Sequence, residues 1–475
     1  MKFKEVLKKA KRREGVYEDL VKLLGKRKVS ASESVLFSYS HDYWPISLHW
    51  MIHGEIPALP DAVIFPESLE DVVKVVKYAY EKSIPIIPYG GGSGVLGAAV
   101  PEYGGIVIDM KRMRRIKIYP KDLIAEAEAG VVGMTLEMYL NHKGFTLRNI
   151  PQSLYPSTLG GWIATKALGQ FSTKYGGIED MVIGIEAVIP PGDIVHLKPH
   201  PRTATGPDLR KIFIGAEGTL GIVTKAYLKI WPLPERVYKL SFMSGSIEEA
   251  LESIRRVLQR GVRPAVVRLF DDIETIKWYY WDKRVKKGKV VTIFIVEGDK
   301  KLADAEKEII EEEFRNAIPL GEEPVNYWLE HRFDVREMSE FVPLGFVIDT
   351  IEIALPWSKA AEGYHRIINA IRSVEGTLIA YAHASHVYPQ GTCFYFIFAG
   401  WPKDRDPNEY YQEVWEAAMK ATLESGGTIS HHHGVGRMRK RWFKDELGEG
   451  GFELLRRIKK AIDEKGILNP GNLGV

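Results

Sequence analysis

The sequence predicts an α+β chain of two domains followed by a helical tail, and three observations carry that prediction. From about residue 60, short apolar strands alternate with amphipathic helices. A Pro232-Leu233-Pro234 stretch interrupts this pattern, which then starts again. Beyond Gly434 the chain is charged and helical in its spacing. The 475 residues suit two or three domains. At 45% hydrophobic and 27% charged, the chain can build ample core. The expected divisions are an N-terminal helical segment at 1–57, a first domain at 58–235, a second at 236–430 and a C-terminal segment at 431–475.

In chain order, the first segment reads as an amphipathic helix with Val6, Leu7, Ala10, Val16, Leu20, Leu23 and Leu24 on its apolar side, then an aromatic stretch from Tyr43-Trp44 to His49-Trp50. Residues 61–66 form a short apolar strand. Ser68 caps a helix, with Asp71 three residues on in the manner of a capping box and Val72, Val73, Val75 and Val76 as its apolar side. Strands follow at 84–88, 106–110 and 122–130, and a helix from about Thr135 to Lys143. Residues 150–235 are rich in Gly and Pro and hold apolar runs at 182–189, 212–215 and 222–231. The second domain opens with a strand, then a helix at 247–260, strands at 266–270 and 291–297, and a helix at 302–316. A strand at 347–355, a helix after Pro356 and a strand at 393–399 complete it.

Composition narrows the function. Sixty-five basic residues against 62 acidic ones leave a net charge of +3, which gives no reason to expect a nucleic-acid partner. The single cysteine, Cys393, forbids an internal disulfide and argues against a cysteine-based zinc site. No run of eighteen apolar residues spans a membrane, and the N-terminus lacks the apolar core of a secretory signal. The C-terminal Asn472-Leu473-Gly474-Val475 carries no peroxisomal tripeptide. A cytoplasmic location is expected. The basic face of the first helix reads as a solvated face that also suits an anionic lipid surface.

Three motifs carry chemistry. The first is Pro88-Tyr89-Gly90-Gly91-Gly92-Ser93-Gly94, directly after a strand, where glycines let backbone N–H groups approach a diphosphate without Cβ interference. It is neither a Rossmann loop, lacking the ribose-binding acid, nor a Walker loop, lacking Gly-Lys-Ser/Thr. The second runs from Pro151 to Trp162 and on to Thr165, and contains Gln152, Ser153, Ser157, Thr158 and Gly161. The third is the Gly215–Thr224 segment with Glu217, Gly218, Thr219, Gly221, Ile222 and Val223. Each is weak alone. In this order within one segment they are specific.

These motifs resemble the FAD-binding domain of the vanillyl-alcohol-oxidase family of FAD-linked oxidases, over Pro60 to Pro234. The resemblance implies a two-subdomain FAD-binding domain at 58–235, an α+β cap domain at 236–430 and a C-terminal segment that returns to the flavin. It also implies that the three motifs hold FAD. No His or Cys lies beside the glycine loop, so the flavin is expected to be bound non-covalently.

Within that family, Thr158-Leu159-Gly160-Gly161-Trp162, residues 201–208, Val267-Arg268-Leu269-Phe270-Asp271 and Ser430 to Lys440 resemble the alkyldihydroxyacetonephosphate synthases. The resemblance implies exchange of the acyl group of acyl-dihydroxyacetone phosphate for a long-chain alcohol, through a flavin N5 adduct and without net redox change. It implies Tyr395, His431, His432 and His433 as catalytic residues. It gives Arg336 as a substrate-binding residue, in a loose match that admits Arg332, together with Arg268 for anionic groups. Where related hydroxyacid dehydrogenases carry an acid that is often a metal ligand, this chain has His432. The Ala382-His383-Ala384-Ser385-His386 segment also lacks their downstream His, so no metal is expected.

Read from the residues alone, a strand would point His431 and His433 one way and His432 the other, and imidazoles suit proton transfer or anion binding. An adjacent imidazolium would help Tyr395 ionise, or a neutral imidazole would relay its proton. The alternatives are an FAD-dependent D-2-hydroxyacid dehydrogenase and a non-catalytic FAD-binding subunit. The expected partner is a small lipid substrate, with peripheral membrane contact and a homodimer both compatible.

Overall fold

Among the described residues three large sheets follow from the strand pattern, beside a two-stranded pairing of Trp231–Pro232 with Phe145–Thr146. The chain is described by a computed structural model for residues 12–475, apart from 53, 55, 57, 336–339 and 404. Val6, Leu7, Ala10 and Arg336 therefore lie outside the described residues. The first sheet has the order Val29–Ser30, Ala62–Ile64, Ile106–Asp109, Ile86–Tyr89, and its last three strands run parallel. Parallel strands need a crossover, and the helix Leu69–Lys82 supplies one, burying Val72, Val75, Val76 and Ala79. Ser68 caps this helix by accepting from Asp71 N at 3.2 Å. Asp71 does not close the expected box on Ser68. Its carboxylate instead takes Glu67 N and the Lys28 ammonium. The C-terminal tail joins this sheet through Ile86 N to Ile467 O and Asn469 N to Ile86 O.

The second sheet is antiparallel, in the order Ile116–Tyr119, Ile124–Glu128, Ile222–Lys229, Val182–Ile189, Asp193–Leu197. Of the three apolar runs in this region, only the first and last become strands. The middle one is the end of a short helix, Arg210–Phe213, whose Phe213 turns into the core.

The third sheet has seven antiparallel strands, in the order Ile318–Pro319, Arg236–Ser244, Val290–Gly298, Val266–Phe270, Thr377–Tyr388, Gly391–Gly400, Val347–Pro356. Its alternation separates two faces. Val290, Phe294, Val296, Ile351, Ile353, Phe394, Phe396 and Phe398 pack on the helices Ile247–Gln259, Trp357–Arg372 and Pro407–Glu424. Val266, Phe270, Val291, Ile293 and Ile295 share a core with the second sheet and with the helix Leu159–Thr165. His383, Tyr395 and Glu352 stand in one cross-strand row with Phe270, and so on this second face. The strand Thr377–Tyr388 is absent from the sequence reading, because its two histidines interrupt the apolar alternation.

A buried ion pair ties this sheet to the motif-bearing part. Arg148 donates twice to Glu297, at 2.7 and 2.9 Å, and Tyr175 Oη donates to the same carboxylate at 2.8 Å. The tail is helical from Lys440 to Ile462, broken at Gly448 with φ +68°. Among the described residues, no helix is long and apolar enough to cross a membrane.

Candidate active site

The three motifs meet at one cavity. Its walls include Pro88, Tyr89 and Gly90 from the first, Thr158, Gly160, Gly161 and Ala164 from the second, and Gly218, Gly221 and Val223 from the third. Met110, Ala129 and Phe213 complete it. The packing accounts for the small residues. A Cβ on Gly91 would overlap the Pro156 carbonyl, and one on Gly90 would overlap Thr158 Oγ1. A Cβ on Gly218 would lie 2.9 Å from Pro88 Cγ. Thr158 caps the helix Leu159–Thr165, Trp162 Nε1 donates to Ser157 Oγ at 2.8 Å, and Thr165 Oγ1 donates to Gly161 O at 3.0 Å. The glycine-lined cradle and the hydroxyl-rich wall fit a dinucleotide whose diphosphate lies against backbone.

The histidine run sits beside this cavity, gripped by two buried carboxylates. Glu352, fully buried, accepts from His431 N at 2.5 Å, His433 N at 2.7 Å and Arg439 Nη1 at 2.6 Å. Glu217 accepts from Val435 N at 2.6 Å, Gly436 N at 2.9 Å and Asn472 Nδ2 at 2.8 Å. With amides 431 and 433 both drawn to one carboxylate, the run bends sharply and does not divide its side chains as a strand would. His431 Nδ1 lies 2.9 Å from His432 Nδ1, and the His432 and His433 rings pack at 4.6 Å. Tyr395 stacks on His432 at 5.9 Å and meets the edge of His433 at 5.5 Å.

His383 and His386 join the same cluster. His383 stacks flat on Tyr395, 4.9 Å between centroids. A register shift between Ser385 and Val387 and a φ of +55° turn His386 out of alternation. Its ring reaches His431 and His432, and its Nδ1 lies 2.7 Å from Ser172 Oγ.

Burial sets the charge of these rings. It pushes His383, His431 and His433 down to about 4, and His386 and His432 well below their usual value. It pushes the Tyr395 phenol up. At neutral pH the cluster holds neutral imidazoles beside a protonated phenol. The expected help from an adjacent imidazolium is therefore corrected, and proton relay by neutral rings remains. Cys393, His431 and His432 bring ligand-type atoms within 4.8 Å of one another. His431 Nε2 is already 2.8 Å from Tyr388 Oη, and burial raises the Cys393 thiol.

Several sequence-chosen residues serve differently from what was expected. Glu217 was expected to line the flavin, but its carboxylate faces the histidine loop and the tail. Thr219 and Ile222 are buried, the Thr219 hydroxyl donating to Ala216 O at 2.7 Å. Gln152 and Ser153 lie in the turn before the helix, where Ser153 O accepts from Ser157. Gly92, with φ +63°, folds back on Tyr89, while Gly94 approaches Asp42. Arg268, expected to hold an anion, puts Nη2 2.9 Å from His383 Nδ1. Sequence reading missed Met110, Ala129 and Phe213 because apolar residues carry no chemical signature.

The buried imidazoles predict a pH window. Each binds fewer protons folded than unfolded between about 4 and its usual 6.5. Stability therefore rises with pH across that window and is lost as pH falls through it. Urea midpoints measured from pH 7 down to pH 4 should decline, and a flat profile would contradict neutral burial.

Comparison with known proteins agrees with this geometry. The chain matches the FAD binding domain family over residues 60–198 and the C-terminal domain of FAD linked oxidases over residues 233–473. It is 31% identical to alkyldihydroxyacetonephosphate synthase of Caenorhabditis elegans, over 96% of this chain and 83% of that protein. It is also 31% identical to an uncharacterised FAD-linked oxidoreductase, YgcU, of Escherichia coli K12, over 97% and 98%. A solved alkyldihydroxyacetonephosphate synthase superposes with a TM-score of 0.83 at 26% identity, covering 97% of this chain and 86% of that one. FAD is the cofactor these matches imply, and the cradle tests it. Gly91→Val should yield a folded protein that purifies without yellow colour, because the new side chain meets the Pro156 carbonyl. Retention of stoichiometric flavin would refute the assignment of the loop. The chain thus belongs to the FAD-linked oxidases of vanillyl-alcohol-oxidase fold, as an alkyldihydroxyacetonephosphate-synthase-like member.

Proposed function

We propose that the protein replaces the acyl group of acyl-dihydroxyacetone phosphate with a long-chain alcohol, forming an ether without net redox change. The observation that carries this reading is Tyr395 packed against His432 and His433, with His431 adjoining His432, beside the FAD-binding motifs. On this reading residues 58–235 bind FAD non-covalently, with Gly90 to Gly94 along the diphosphate. Residues 236–430 form the cap, and residues 431–475 return to the flavin. Bound FAD supplies an electron-accepting ring.

The chain's own groups move protons. His433 Nδ1 has no hydrogen-bond partner and lies 3.5 Å from Glu352 Oε1. The ring takes the alcohol proton on Nε2, and the Glu352 carboxylate beside Nδ1 stabilises the resulting charge. Tyr395 keeps its proton at neutral pH and through it hydrogen-bonds to the departing carboxylate, which leaves as the anion. The relatives' phosphate-bearing substrate needs a cation, and Arg332 answers that need. Its Nε is buried without a partner, its Nη1 donates to Leu329 O at 2.7 Å, and its guanidinium lies over Trp328 and Phe333. This reading requires no catalytic metal.

The test is spectroscopic and kinetic. Under anaerobic conditions, flavin absorbance should change with acyl-dihydroxyacetone phosphate and stay oxidised with D-lactate and glycolate. Bleaching by a hydroxyacid would establish a dehydrogenase instead, and silence toward every compound would mark a passive subunit. Tyr395→Phe should keep its flavin spectrum and lose on the order of 100-fold in kcat. Wild-type turnover would remove the tyrosine from the mechanism.

Such an alcohol partitions into lipid, so we also propose peripheral contact with a bilayer. Phe341 and Leu344 are exposed, and Phe346 stacks on Trp401 at 5.4 Å. Flotation with anionic liposomes at low salt should carry the protein upward. Protein left at the bottom of the gradient would refute this contact.

A further inference from the structure

The two histidines of residues 382–386 find no role in the proposed reaction as it stands, yet one of them is the best-held side chain of the cluster. His383 and Tyr395 are cross-strand partners, and their rings lie 4.9 Å apart at only 14°. Behind His383, the Nδ1 atom lies 3.0 Å from Glu274 Oε2 and 2.9 Å from Arg268 Nη2. One nitrogen serves one partner at a time. With its proton on Nδ1 the ring donates to Glu274; with the proton on Nε2, Nδ1 accepts from Arg268. Either arrangement leaves the ring in the same plane.

Glu274 is itself fixed in place. It sits in the first turn of the helix Asp272–Tyr279, whose cap is Asp271. Asp271 accepts from Glu274 N at 2.8 Å, from Ala382 N at 2.6 Å and from Tyr364 Oη at 3.0 Å. Its own N–H donates to Ala382 O at 3.0 Å. The helix start is thereby pinned to the strand one residue before His383. Glu274 is almost completely buried and also faces Arg268 at 3.5 Å.

We propose that His383, clamped by Glu274 and Arg268, is a positioning residue whose imidazole plane seats the Tyr395 ring against the histidine loop. This assigns Arg268 to the imidazole and not to an anionic substrate group. A fluorine-labelled tyrosine at position 395 reads the seating directly, whatever the chemistry of that residue.

In FAD-loaded protein, His383→Ala should move the fluorine resonance by removing the stacked ring, and Glu274→Gln should broaden it by loosening the clamp. His383→Phe, which keeps a flat ring, should restore most of the His383→Ala change. Melting temperature and flavin content confirm folding of each variant, and Glu274→Gln serves if His383→Ala does not fold. An unmoved resonance in His383→Ala, or a sharp wild-type line in Glu274→Gln, would overturn the proposal.

The effect on rate rests on the reading of Tyr395 as a hydrogen-bond donor, and a second experiment separates the two. His383→Ala should lower kcat by at least about tenfold with KM unchanged, as misplacement of a reacting group does. It should cost nothing further in the Tyr395→Phe background. Equal losses in both backgrounds would show that His383 acts independently of the tyrosine. A fully active Tyr395→Phe would instead sink the reading of Tyr395, leaving the fluorine result to judge the positioning.

Discussion

The site depends on giving acceptors to the backbone amides of a buried loop. Residues 430–436 follow no strand or helix, so their N–H groups have no ladder, and an unmet buried donor costs about 1–3 kcal/mol. Two carboxylates solve this from opposite sides. Glu352 takes the amides of His431 and His433, and Glu217 takes those of Val435 and Gly436. Each carboxylate belongs to a different part of the chain, one to the seven-stranded sheet and the other to the third cofactor motif. Holding the loop therefore also holds those parts in register. Arg439, fully buried beside Glu352, balances the charge so that the carboxylate stays ionised despite its burial.

That arrangement explains how one short loop supplies three histidines to one place. A strand would have divided them between two faces. Curling the amides around Glu352 brings His432 and His433 to Tyr395 and His431 to His386 and Tyr388. The same desolvation that makes the carboxylates necessary also discharges the imidazoles. Neutral rings beside a protonated phenol form a set able to pass a proton without creating a lasting charge. A protonated His433 would find its counter-charge already in place at Glu352.

The seven-stranded sheet does two jobs through alternation alone. One set of side chains, Phe394, Phe396 and Phe398 among them, builds core with the helices. The intervening set puts Tyr395 into the site. A shift of one residue in register would exchange the two sets and destroy both. Arg148 and Glu297 fix the sheet against the motif-bearing part.

Much of this was determined by the sequence itself. The α+β pattern, the break near Pro232, the glycine loop after a strand and the two later motifs are local features, and local features follow from short-range sterics and periodicity. The histidine run and Tyr395 were legible as residue types with a chemical purpose. Tertiary structure decided the rest. That Glu217 faces a loop some 218 residues away, that a bulge swings His386 into the cluster, and that His383 lies flat on Tyr395 all depend on strand register and long-range hydrogen bonds. The charge state of the histidines was decided there as well, because desolvation is a property of the surroundings and not of the residue.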